Sequence, residues 1–393
     1  MTATPTCIEI DTAAIAHNLG AVRDELGPHL PLCAVVKADA YGHGLDLVLP
    51  VLLSFGVTAI GVTSNDEAAA ARAGGFRGRI LRLRTALREE IEDGARHDIE
   101  EWVGGGRHAE VVAAAARAVG GRIRIHVSLN STGLSRDGIH GTTSDAARSE
   151  LERIAADPHL RPTGVCSHFP CEDADDVADG ARTFAEESRR AAAILGGRRS
   201  PGVERHCATS FAALTVPASR FDLVRIGAAL YGDTSASGVD LRPAMRVVSR
   251  IAAVNDYPAG STVGYDRTHR LRHPSRLAVV PLGYADGYSR ALGGRAHVLI
   301  HGTPAPVVDR LAMNTLVVDV TQVPEARIGD DVVLYGRQGD ATISSLDLER
   351  ASGQIAANLY TAWGRLSRRV VAEGTAHRPR ANAETADEIV TTR

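Results

Sequence analysis

The segment AVVKADAYGHG, Ala34 to Gly44, ends an apolar run on Lys37, and an aspartate, a tyrosine, a histidine and two glycines follow within seven residues. An ammonium held among apolar side chains loses hydration, so its pKa falls. The free amine is then a nucleophile suited to a Schiff base. Other polar residues stand at or just past the ends of later apolar runs. They are Arg136 in LNSTGLSRDG, His168 in GVCSHFP, Ser210 in RHCATS, and Arg225 and Gly227 in LVRIGAALYG.

These residues need a scaffold that brings run ends together. Up to about residue 240, short apolar runs alternate with Ala-rich helical patterns. Strands are expected at 32–37, 58–62, 80–84, 101–103, 123–129, 163–168, 203–207 and 222–226. Helices are expected at 64–73, 109–118, 146–156 and 177–195. Eight strand–helix units predict an α/β chain whose N-terminal part, 11–240, is a (β/α)8 barrel. From 241 to 374 the runs become β-branched and are broken by Gly, Pro and Asp, as in RLAVVPLGYADG and DDVVLYG. That predicts a mostly-β domain of hairpins, which the strand-like CIEID within residues 1–10 would join. Residues 375–393 are polar and irregular, the composition of a flexible tail.

A barrel of this kind places its chemistry at the C-terminal ends of its strands. Lys37, Arg136, His168, Ser210, Arg225 and Gly227 would therefore face one mouth. The loops after the seventh and eighth strands are the usual phosphate site, here Ser210 and the amides around Gly227 and Ala228. A Schiff-base lysine facing a phosphate site points to pyridoxal phosphate.

Composition narrows the remaining classes. The 393 residues carry a net charge of −3, which gives no footprint for nucleic acid. The five cysteines are scattered without a CxxC pair, so no metal site is expected, and they fit a reducing compartment. The first twenty residues show no basic, apolar leader, and no apolar run reaches the roughly 18 residues of a membrane span. A cytoplasmic protein with no membrane partner is expected, with an exported form as the alternative.

The motifs AVVKADAYGHG, VRIGAALYG, VGYDRTH and LGYADGYSR, in that order, resemble the alanine racemase family over about residues 8–365. LNSTGLSRDG, SHFP, YPAGSTVGYDRT, MNT and LYTAWG resemble its broad-specificity amino-acid racemase branch. The resemblance implies pyridoxal phosphate and a head-to-tail homodimer with shared sites, acting on a small amino-acid substrate. It also implies roles. Lys37 would carry the cofactor and serve as one base, and Tyr265 of the partner would serve as the other. Arg225 would face the pyridine nitrogen and Arg136 the phenolic oxygen. Tyr41, Ser210, Gly227 and Tyr360 would hold the phosphate, and His168 and His206 would line the site. The Met313 amide of the partner chain, beside Asn314, would meet the substrate carboxylate, and Tyr284 would narrow the entrance.

Two bases suit racemisation, which takes a proton from one face of a planar carbon and returns one to the other. A free tyrosine ionises near ~10, so that base needs help from His168 and an arginine. Arginine does not protonate a pyridine, which should suppress transamination. Leu129, Asn130 and Ser131 stand where alanine-specific relatives carry lysine and aspartate, so Asn130 or a bound anion is the candidate brace for Arg136. Asn314 replaces an aspartate of those relatives. The alternatives are a strict alanine racemase, a decarboxylase of the same architecture, and a non-catalytic pyridoxal-phosphate carrier. Taken singly, His168 and His206 read as core histidines, and the acidic run CEDADD reads as a solvated loop or as a lure for cationic substrates.

Overall fold

The computed structural model describes residues 5–196, 202–236 and 238–372; the tail expected at 375–393 lies outside them. Eight parallel strands form the barrel: Leu32–Val35, Ala59–Val62, Arg79–Arg82, Ile99–Val103, Ile123–Ser128, Leu160–Cys166, Glu204–His206 and Val224–Ile226. The first pairs with the last in parallel register, Cys33 opposite Arg225. Between the seventh and eighth, the Asp222 and Arg225 amides each donate at 3.0 Å to the Arg205 and Ala208 carbonyls, and the ring closes. The strands are short and largely buried along their length, as expected where helices cover a parallel sheet.

Local signals set the helix boundaries. Ser64 caps Asn65–Ala73 and Glu67 returns the bond, a capping box. The Ala-rich patterns at 109–118 and 146–156 lie within Gly106–Ala118 and Asp145–Ala156, whose buried faces are largely alanine with Val112, Leu151 and Ile154. Small side chains let these helices lie close on the barrel.

The second part of the chain forms two main sheets. One contains Met245–Arg250, His297–Ile300, Thr303–Pro306 and Asp331–Gln338. Cys7–Ile10 enters this sheet, antiparallel to Met245–Arg250 and parallel to Arg369–Val371. The other contains Ala253–Tyr257, Ser275–Val280 and Leu316–Asp319. Hairpins alone do not describe this part. Ser345–Ser352 is a helix set by a Ser344–Asp347 capping box, and Ala356–Leu366 is a helix burying Leu359, Tyr360 and Trp363. The second helix lies on the barrel mouth and positions the site.

Candidate active site

Lys37 lies two residues beyond the strand Leu32–Val35, not within it, and opens an unusual turn. Ala38, Asp39, Ala40 and Tyr41 all have φ of 54° or 55°, so four consecutive non-glycine residues are left-handed. Each costs about 1–2 kcal/mol. Such a turn persists only where its surroundings over-determine it. The Glu67 carboxylate accepts the Ala38 amide at 2.6 Å and the Asp39 amide at 3.4 Å. Asp39 accepts the Leu45 amide at 2.8 Å and pairs with Arg369. The helix Ala356–Leu366 closes the turn from above: a Cβ on Gly42 would lie 2.2 Å from the Tyr360 carbonyl oxygen. Only glycine allows this approach.

The turn aims Lys37 at positive neighbours. Burial lowers its pKa, Arg136 and Arg225 lower it further, and Glu67 opposes them. Its Nζ lies 5.9 Å from the Tyr41 ring centroid. His168 is pushed down to about 3 by burial and then by Arg225, Arg136 and Lys37, so it is a neutral imidazole. Arg225 is buried and donates to four acceptors. One Nη bonds His206 Nδ1 at 2.6 Å and the His206 carbonyl at 3.1 Å; the other bonds the Ser167 carbonyl at 2.7 Å and the Cys207 carbonyl at 3.1 Å. A guanidinium held this way is a fixed cation at the barrel mouth.

Ser210, Gly227, Ala228, Tyr41 and Tyr360 supply the donor set expected for a phosphate. Ser210 starts the helix Ser210–Thr215, and its hydroxyl accepts the Gly227 amide at 3.1 Å and the Ala229 amide at 3.2 Å. Those amides open the short helical turn Ala228–Tyr231. A Cβ on Gly227 would sit 2.6 Å from the Tyr41 hydroxyl oxygen, so this cradle exists only with glycine there. Tyr360 shares a 2.8 Å hydrogen bond with Tyr335. Hydroxyls, backbone amides and a glycine-lined approach, facing a lysine of lowered pKa, fit pyridoxal phosphate.

Arg136 is half exposed, with Asp137 at 3.8 Å. Asn130 serves its loop in another way than by bracing the guanidinium. It accepts the Ser135 amide at 2.8 Å and donates to the Ser135 hydroxyl at 3.2 Å, holding that left-handed residue beside Arg136.

Tyr265, Tyr284, Met313 and Asn314 lie on the β domain. Tyr265 is 63% exposed, Met313 56% and Tyr284 39%. They share one face. The Tyr284 and Ala285 amides donate to the Ala312 and Met313 carbonyls, Arg290 lies over the Tyr284 ring, and Arg290 donates to the Arg310 carbonyl. Arg310 pairs with Asp266, next to Tyr265. Asn314 donates to Asp286 at 3.2 Å. Among the described residues, no hydrogen bond, ion pair or ring contact of these four reaches Lys37 or Arg225.

The acidic run has a structural task. Asp173 accepts the Asp175 and Asp176 amides at 3.1 and 3.0 Å, and the two aspartates sit in the first turn of Ala174–Gly196, where negative charge suits the helix dipole. Sequence reasoning missed Glu67, Glu100 and His126. For Glu100 and His126 the available signal was an ionisable residue inside a barrel strand, as in DIEEWV and RIRIHVS; for Glu67 it was the Ser64–Glu67 capping-box spacing.

Comparison with known proteins follows the same two-part division. The family "Alanine racemase, N-terminal domain" matches residues 10–235, and "Alanine racemase, C-terminal domain" matches 244–371. A broad specificity amino-acid racemase of Pseudomonas putida is 42% identical over 93% of this chain and 89% of its own. A lysine racemase of Proteus mirabilis is 39% identical over the same shares. The alanine racemase of D-cycloserine-producing Streptomyces lavendulae superposes with a TM-score of 0.84 at 32% identity, over 95% of this chain and 98% of that one. The family matches span both parts of the fold and the relatives cover most of the chain, so this protein belongs to the alanine racemase family.

Proposed function

We propose that this chain is a pyridoxal-phosphate-dependent racemase of broad amino-acid range, working as a homodimer in which each site draws on both subunits. The observation that carries the reading is Lys37. Its amine has a lowered pKa and faces Arg225 at a barrel mouth lined by the Tyr41, Ser210 and Gly227 cradle.

Bound pyridoxal phosphate would acidify the α-C–H bond of the amino acid joined to it. The residues of the chain do the rest. Tyr41, Ser210, Tyr360 and the Gly227 and Ala228 amides hold the phosphate. Arg225, always charged, faces the ring nitrogen and gives it no proton. Lys37 moves a proton at Cα on one face. Tyr265 of a second copy moves a proton at Cα on the other, where the N–H of neutral His168 would donate to its phenolate oxygen. Arg136 and the Met313 amide of the second copy orient the carboxylate end.

A second copy fits the exposed aromatic face of the β domain. Tyr265, Tyr284 and Met313 each leave more than a third of their surface in solvent, and an apolar cluster of that kind marks an interaction surface. The broad range rests on the names of the relatives and on Asn314 and Asn130, which build a site without the charged residues of alanine-specific members.

The experiment is hydrogen exchange at Cα in D2O with both enantiomers of alanine, serine, lysine and arginine. Exchange and inversion of several of them is the expected result. Exchange of alanine alone would limit the range, and CO2 release without exchange would overturn the reading.

A further inference from the structure

The barrel interior holds a hydrogen-bonded chain that the chemistry above leaves unused. Arg225 donates to His206 Nδ1 at 2.6 Å. His206 Nε2 lies 2.8 Å from His126 Nδ1, and His126 Nε2 lies 2.7 Å from Glu100 Oε2. Glu100 also accepts two bonds of 2.9 Å from Arg79, which bonds Glu204 in turn. Glu100, His126, His206 and Arg225 are all at least 96% buried. Thr163 and Arg124 flank Glu100, and the Trp102 ring lies edge-on to His206.

Proton counting fixes every link. A guanidinium only donates, so His206 Nδ1 accepts and a neutral His206 carries its proton on Nε2. His126 Nδ1 must then accept, which puts the His126 proton on Nε2, facing a carboxylate that only accepts. Burial and then Arg225 push the His206 pKa well down, which keeps its ring neutral. Burial raises the Glu100 pKa, but the bonds from His126 and Arg79 outweigh it and hold the carboxyl ionised. Without the anion, His126 is free to protonate Nδ1. His206 would then carry its proton on Nδ1 and set a donor against the Arg225 donor, at a cost of about 1–3 kcal/mol for an unpaired buried group.

We propose that Glu100 and His126 are positioning residues that act through the His206 tautomer to set the orientation and field of Arg225. This rests on the reading of Arg225 as the residue facing the pyridine nitrogen. The relay runs one way, from an anion among the inner ends of the barrel strands to a cation at the mouth. It therefore tunes the site from residues that touch neither cofactor nor substrate.

The test uses the protein loaded with pyridoxal phosphate. Neutron diffraction should find hydrogen on Nε2 and none on Nδ1 of both His126 and His206. Hydrogen on Nδ1 of either ring, or on both nitrogens, overturns the proposal. Glu100→Gln should shift the visible absorbance of the bound cofactor and lower kcat by about tenfold with little change in KM. Glu204→Gln breaks the same Arg79 cluster but makes no bond into the relay, and it should leave the spectrum unmoved. Identical spectra for the two variants and the parent would contradict the relay. If Glu100→Gln does not fold, the hydrogen positions in the parent still decide. Failure of the parent to take up pyridoxal phosphate would sink the cofactor reading instead, a separate result visible as a colourless protein.

Discussion

Gly364 and Gly42 meet backbone against backbone: a Cβ on Gly364 would lie 2.1 Å from the Gly42 carbonyl oxygen. The β domain thus seats its helix Ala356–Leu366 directly on the left-handed turn that follows Lys37. One contact ties the two parts of the chain and joins Tyr360 to the barrel mouth.

Gly364→Ala is therefore expected to push the helix off the turn. Overpacking of this kind costs about 1–3 kcal/mol. Denaturant unfolding should show that loss, and the variant should release pyridoxal phosphate faster than the parent. Ala→Gly at partly buried Ala357 on the same helix, which costs about 1 kcal/mol from propensity alone, should leave cofactor release unchanged.

Asp233 gives a pH signature. Burial raises its pKa to about 6, and Glu349 and Glu172 add to the shift while a Ser345 hydrogen bond opposes it. The folded protein thus holds this proton more tightly than the unfolded chain, whose aspartates ionise near ~3.9. The contribution to stability is full below about pH 4 and is lost as pH rises through about 6. Asp233→Asn should therefore stabilise the protein at pH 8 relative to the parent by on the order of 1–3 kcal/mol. The two should converge near pH 4, as read by urea midpoints across that range.

Arg225→Glu changes the chemistry at the ring nitrogen. A carboxyl group can share a proton with a pyridine and arginine does not. The deprotonated substrate should then last longer and be reprotonated at the wrong carbon more often. Keto acid formed per racemisation event should rise, while racemisation itself falls by about a hundredfold or more. An unchanged ratio would remove Arg225 from the ring nitrogen.

The barrel was legible because each strand is a short apolar run between Ala-rich helices, and because polar residues recur at run ends. Lys37, Ser210, Arg225 and Gly227 were proposed as site residues on that ground. The left-handed turn was not legible. Ala38 to Tyr41 are ordinary residues, and nothing local favours positive φ; Glu67 and the helix Ala356–Leu366 impose it from outside. The helices Ser345–Ser352 and Ala356–Leu366 were hidden among β-rich segments, although LYTAWG lies on the second. Glu100 and His126 escaped notice because a charge in a strand usually points outward. Here the barrel is packed with bonded charge instead of methyl groups alone.

The central claim is that Lys37 of one subunit and Tyr265 of another serve a single site. Mixing the inactive variants Lys37→Ala and Tyr265→Phe tests it most directly. In a mixed dimer, one site carries both substitutions and the other carries neither. Random reassortment makes about half the dimers mixed, so equal amounts should recover roughly one quarter of parental racemase activity, if both bases contribute the usual 10²–10⁴-fold each. No recovery above the two variants measured apart, with mixed dimers shown to form, would contradict the account.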